Sequence, residues 1–137
     1  MKASIMLSAV AVAGATLTGN ELPAATDQEQ NYQGIRYACT GIAFDSRHDP
    51  RWASYPAKLI FAETTGDYLA DVAVSIDDAT GRSVFEAHCM APWLLLDLPP
   101  GRYRVDATAP ESPTQSVDLT VASRGQAERV VHFPASR

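Results

Sequence analysis

The sequence predicts an all-β fold, one antiparallel β-sandwich of seven short strands. Three observations carry that expectation. From Lys58 onward, apolar and polar residues alternate in strand-length runs. Turn signals separate those runs: Thr64-Thr65-Gly66-Asp67, Asp78-Ala79-Thr80-Gly81, Pro99-Pro100-Gly101 and Ser123-Arg124-Gly125. Outside one stretch near Asp45, nothing repeats with the period of a helix.

The composition sets the frame for that reading. A chain of 137 residues, 46% hydrophobic and 20% charged, can bury one core and is not a disordered tail. Asp plus Glu outnumber Lys plus Arg by 16 to 11, a formal charge of -5, which has the wrong sign for a duplex or an anionic lipid surface. A nucleic-acid partner is therefore not expected. Two cysteines are too few for a disulfide-dense miniprotein or a four-cysteine zinc site.

The chain opens with Met1-Lys2 and an uncharged apolar run over residues 3–17. That run is about five residues short of the ~20 that span a bilayer, and it reads as the apolar region of a signal peptide. Residues 1–25 are expected to form that peptide, cut after Ala24 or Ala25 in the small-residue stretch Leu22-Pro23-Ala24-Ala25. The mature protein would then be periplasmic or secreted, with no transmembrane segment left after cleavage. Residues 26–57 form an N-terminal segment expected to pack on the sandwich, which spans residues 58–134. Within it, residues 26–30 read as a frayed tail, residues 35–39 as a short strand, and residues 45–54 as one short helix started by Asp45 or Ser46.

Export changes how the cysteines read. In an oxidising compartment Cys39 and Cys89 are expected to pair. Closing a loop of that length stabilises the fold by about 4 kcal/mol in the chain-entropy picture. Two buried thiols, or a His88-Cys89 metal or redox pair, are the alternatives.

Seven strands follow. Residues 58–63 end at the Thr-Thr-Gly-Asp turn. Residues 70–77 set Val72, Val74 and Ile76 on one face, and the Asp78–Gly81 turn returns the chain through residues 82–89, with Phe85, Ala87 and Cys89 facing together. Residues 93–98 place Leu94, Leu96 and Leu98 on one side, with Trp93 and Leu95 on the other. Pro99-Pro100-Gly101 turns the chain into residues 102–107, where Tyr103 and Val105 face inward. Residues 110–113 are a loop, and residues 115–121 and 128–133 close the fold.

The run Leu69-Ala70-Asp71-Val72-Ala73-Val74-Ser75-Ile76-Asp77-Asp78-Ala79-Thr80-Gly81, followed by Val84-Phe85 and then by Leu96-Asp97-Leu98-Pro99-Pro100-Gly101-Arg102-Tyr103-Arg104-Val105, resembles the carboxypeptidase regulatory-like domains. The resemblance covers about residues 58–133 and implies a prealbumin-like (transthyretin-like) seven-stranded sandwich, as in small exported bacterial proteins that carry such a domain alone. Where many members carry Asp-Gly before the fourth strand, this chain has His88-Cys89-Met90-Ala91-Pro92-Trp93. A fold resemblance brings no reaction with it. A transthyretin-related hydrolase of purine breakdown shares the fold, but its Tyr-Arg-Gly-Ser tail has no counterpart in Phe133-Pro134-Ala135-Ser136-Arg137.

Catalytic constellations are sparse. His48, His88 and His132 fall in separate elements, with no Gly-x-Ser-x-Gly or His-Glu-x-x-His spacing around them. Asp77-Asp78 stands at a hairpin mouth, where Asp favours the turn, and neither a metal nor a cofactor is expected. The aromatics Trp52, Tyr55, Tyr68 and Trp93 stand in loops or at strand edges and form the candidate binding surface. The alternative is that Trp93 and Trp52 pack together to close one end of the sandwich beneath the N-terminal segment. The expectation is an exported, non-enzymatic binding or accessory module of the cell envelope, a monomer or weak oligomer whose partner is an envelope protein or a glycan. Two other readings are a carbohydrate-binding module using Trp93 and its neighbouring aromatics, and a small hydrolase using His88 or His132.

Overall fold

The structure is a computed structural model and describes residues 25–135. The expected signal peptide, apart from Ala25, lies outside the described residues. Nine strands build two sheets: β1 (Glu29–Tyr32), β2 (Ile35–Thr40), β3 (Ala57–Glu63), β4 (Val72–Asp78), β5 (Ser83–Cys89), β6 (Trp93–Leu96), β7 (Gly101–Thr108), β8 (Gln115–Val121) and β9 (Ala127–Phe133). Sheet I has the order β1-β2-β6-β3-β9 and sheet II the order β5-β4-β7-β8. The all-β, two-sheet expectation holds. The strand count is nine rather than seven, because the short strand expected in the N-terminal segment joins sheet I as β2, and β1 forms partly where a frayed tail was expected and pairs with β2 through the Gln33-Gly34 turn. One pair also departs from the antiparallel pattern, since β9 runs parallel to β3.

The main core lies between the sheets. Leu59 and Phe61 of β3, Val72, Val74 and Ile76 of β4, Phe85 of β5, Leu94 and Leu96 of β6, Val105 of β7 and Val131 and Phe133 of β9 are all buried in it. These are the inward positions that strand alternation assigns. Cys39 and Cys89 form a disulfide across the sheets, joining the end of β2 to the end of β5, with Cα atoms 5.7 Å apart. The Asp78–Gly81 turn joins β4 to β5 as expected. Asp78 accepts hydrogen bonds from the Thr80 amide at 2.9 Å, the Thr80 hydroxyl at 2.6 Å and the Arg82 amide at 3.1 Å, which hold its carboxyl below the usual range. Its carboxylate serves the turn. At the same end of the sandwich, the Tyr103 hydroxyl donates to the Pro99 carbonyl at 2.7 Å and latches the Pro-Pro-Gly turn between β6 and β7.

A second, smaller core covers the outer face of sheet I. Ala38, Ile60, Trp93 and Leu95 point outward from β2, β3 and β6 and are buried beneath Trp52 and Tyr55. The cover consists of residues 41–56. The single helix expected over residues 45–54 is instead two short pieces, α1 (Phe44–Arg47) and a 3-10 turn over Pro50–Ser54. Pro50 explains the break: the residue before a proline is driven out of the helical region, and Asp49 is extended with φ -69° and ψ 121°. Hydrogen bonds within the cover and from it to the end of the sandwich hold it in place. The Trp52 indole donates to the Ser46 carbonyl at 2.7 Å, and the Gln126 amide donates to the Trp52 and Tyr55 carbonyls at 2.9 and 3.0 Å. Central strands β3 and β6 thus bury both faces.

Candidate functional site

Strand register gathers the loops at one end of the sandwich. Thr40 pairs with Trp93, Cys89 with Val72, Ala73 with Thr108 and Ala107 with Gln115, so β2, β5 and β7 end where β6, β4 and β8 begin. β3 and β9 run parallel and end there together. The connections 41–43, 64–71, 90–92 and 109–114 therefore share that end.

All four large apolar residues exposed among the described residues come from these connections or from α1 beside them. They are Phe44 (71% exposed), Ile42 (56%), Tyr68 (49%) and Met90 (37%). Arg47 braces two of them, Ile42 and Tyr68. Its Nε donates to the Gly41 carbonyl at 2.7 Å, its Nη2 donates to the Ile42 carbonyl at 3.4 Å, and its guanidinium lies 4.9 Å from the Tyr68 ring centroid. The Phe44 ring stacks on His48 with centroids 4.1 Å apart, and His48 Nδ1 lies 2.8 Å from the Phe44 carbonyl oxygen. Exposed carboxylates flank the patch in sequence, Asp45 next to Phe44 and Asp67 next to Tyr68. The arrangement offers apolar contact around Arg47, with two carboxylates beside it in sequence.

The four aromatics expected to form a binding surface separate. Only Tyr68 is on the surface. Trp52, Tyr55 and Trp93 are buried in the second core, which corrects the expectation that they present open ring faces. Trp93 is covered closely: Lys58 Nζ lies 3.4 Å from its ring centroid, and Gly41 approaches so near that a Cβ there would stand 2.6 Å from Trp93 Cγ. Burial holds the Lys58 ammonium below the ordinary lysine range, against the opposing pull of Glu128 at 3.9 Å. Tyr55 donates its hydroxyl to Glu29 at 2.6 Å beneath the Arg36 guanidinium. Sequence reasoning missed Ile42 and Phe44. A signal was present in Ile42-Ala43-Phe44, apolar residues ahead of a polar run, but their exposure depends on α1 turning outward.

The histidines do not converge. His48 and His132 are exposed, on α1's flank and on β9, and His88 on β5 hydrogen-bonds to Asp71 through Nε2. Asp71 takes the left-handed backbone region, with φ 67°, in the crossing from sheet I to sheet II. Asp71 is the one hydrogen-bond partner of His88 among the described residues, and Cys89 beside it is bonded to Cys39. No group of three or more His, Cys, Asp or Glu side chains among the described residues is arranged to hold a metal ion. A shallow cleft of about 520 Å³ lies on the outer face of sheet II, with Asp77, Asp78, Arg102, Arg104, Asp118 and Thr120 among the residues that line it. No helix among the described residues is long and apolar enough to cross a membrane.

No protein-family model matches the chain. Nor does any curated protein match it.

Proposed function

We propose that this chain is an exported, non-enzymatic binding module of the cell envelope, built on a carboxypeptidase regulatory-like sandwich, which grips a partner protein with its Ile42–Phe44–Tyr68 end. The observation that carries the reading is the clustering of every large exposed apolar side chain among the described residues at one end. A stable monomer spends such exposure where something else covers it. Asp45 and Asp67 beside the patch suit a partner segment that carries Lys or Arg next to an apolar anchor. The Cys39–Cys89 disulfide suits an oxidising compartment, and the Leu98-Pro99-Pro100-Gly101-Arg102-Tyr103 turn supports the family likeness.

Photo-crosslinking tests this directly. A benzophenone amino acid at position 44 should give a discrete adduct in exporting cells, and the same group at position 80, at the other end of the sandwich, should not. Equal labelling from both positions, or none from position 44, would sink the proposal. Glycan recognition through Trp93 draws no support from the buried indole. Hydrolysis through His88 has the Asp71 hydrogen bond in its favour and lacks a hydrogen-bonded nucleophile among the described residues.

A further inference from the structure

We propose that β5 is a self-pairing edge, through which two copies of the chain join antiparallel about a two-fold axis at Ala87. The inference is independent of the loop-end reading. β5 lies at the border of sheet II, and β4 is its one strand partner. An unpaired border strand presents a row of amides and carbonyls that a second strand can satisfy, and proteins usually blunt such borders. The other borders are blunted here. β1 has four residues, and β8 has its Asp118 carbonyl taken by Arg129 Nη1 at 2.8 Å. β9 lies against β8 across the side where the two sheets meet. β5 has seven residues, with no proline, no lysine and no charge turned inward, and its one irregularity, a bulge at Val84, leaves Phe85–Cys89 in regular register.

The side chains on β5 choose the axis. If the joined sheets are to keep both cores on the same side, a residue must sit on the two-fold. Placing Ala87 there sets Glu86 opposite the second copy's His88, twice by symmetry, and Phe85 opposite Cys89. An axis through Glu86 or through His88 would put like groups face to face. Glu86 is exposed and has no ion-pair or hydrogen-bond partner among the described residues, so the second copy's imidazole is the group it lacks. The product is a continuous eight-stranded sheet. Its contact is small, and the dimer is accordingly a weak one.

Sedimentation across a concentration series tests the proposal, with thermal melting to verify that each variant folds. The wild-type protein should pass from monomer to dimer. Glu86→Lys alone places a cation against His88 twice, and His88→Glu alone places two carboxylates against Glu86. Each change should weaken self-association about tenfold or more. An equimolar mixture of the two variants recreates one Glu–His and one Lys–Glu pair and should recover the dimer. Slower amide exchange over residues 84–88 of the wild-type protein at high concentration is a second readout that needs no variant. A monomer at every concentration, a dimer indifferent to both reversals, a mixture that stays monomeric, or concentration-independent exchange over β5 would each overturn the assignment.

Discussion

Tyr55 shows how one residue can decide whether an aromatic is a surface or a strut. Its ring is fully buried, and its hydroxyl donates to Glu29. Burial first, and the Glu29 carboxylate second, push the phenol well above the ordinary tyrosine range. The native state therefore keeps a proton that the unfolded chain surrenders near pH 10. The stabilisation from this shift is fully present below about pH 10 and is lost as the pH rises beyond it. Tyr55→Phe should cost about 1–3 kcal/mol at neutral pH and flatten the alkaline limb of the stability curve, read by urea melts from pH 7 to 11. An unchanged alkaline limb would show that Tyr55 ionises freely. Nothing in the sequence around Ser54-Tyr55-Pro56 announces this, because Glu29, Arg36 and Tyr55 meet only through β1, β2 and the cover.

At the scale of elements, the informative piece is the cover over residues 41–56. Strand alternation correctly put Trp93 and Leu95 on the face opposite Leu94 and Leu96, and said nothing about whether that face was wet. The cover decides it, and Gly41 decides how the cover leaves β2. Gly41 sits at φ +98°, and its missing side chain makes room for the Trp93 indole. Gly41→Ala would carry both a left-handed backbone penalty and a collision with an aromatic ring that has nowhere to go. It should destabilise the protein by about 2 kcal/mol or more, whereas Gly34→Ala, strained but open, should cost less. Parallel chemical denaturation of the two variants checks this, and equal costs would mean that the cover simply shifts. A cover that is only half helix is hard to read in sequence because Pro50 breaks the periodic signal into pieces shorter than two turns.

For the whole molecule, the disulfide is the one side-chain covalent tie between the two sheets among the described residues. It spans a sequence separation of 50 and links border strand β5 to β2 close to the loop end. Its loss should lower stability by about 4 kcal/mol if the chain-entropy term dominates. Cys39→Ser with Cys89→Ser, compared with wild type by denaturant melts under oxidising and reducing conditions, measures that loss, and coincident curves would refute it. The sequence by itself determined the two-sheet β architecture, the inward strand faces, the hairpin and Pro-Pro-Gly turns, and the pairing of the only two cysteines. Each follows from local chemistry: alternation sorts residues onto two faces, Gly and Asp mark turns, and two thiols have one way to pair. Only the tertiary structure decided that β1 joins sheet I, that β9 runs parallel to β3, and that three of four expected surface aromatics are core while Ile42 and Phe44 are the exposed ones. These depend on which segment lies over which face, a long-range choice made by packing and recorded in no single stretch of residues.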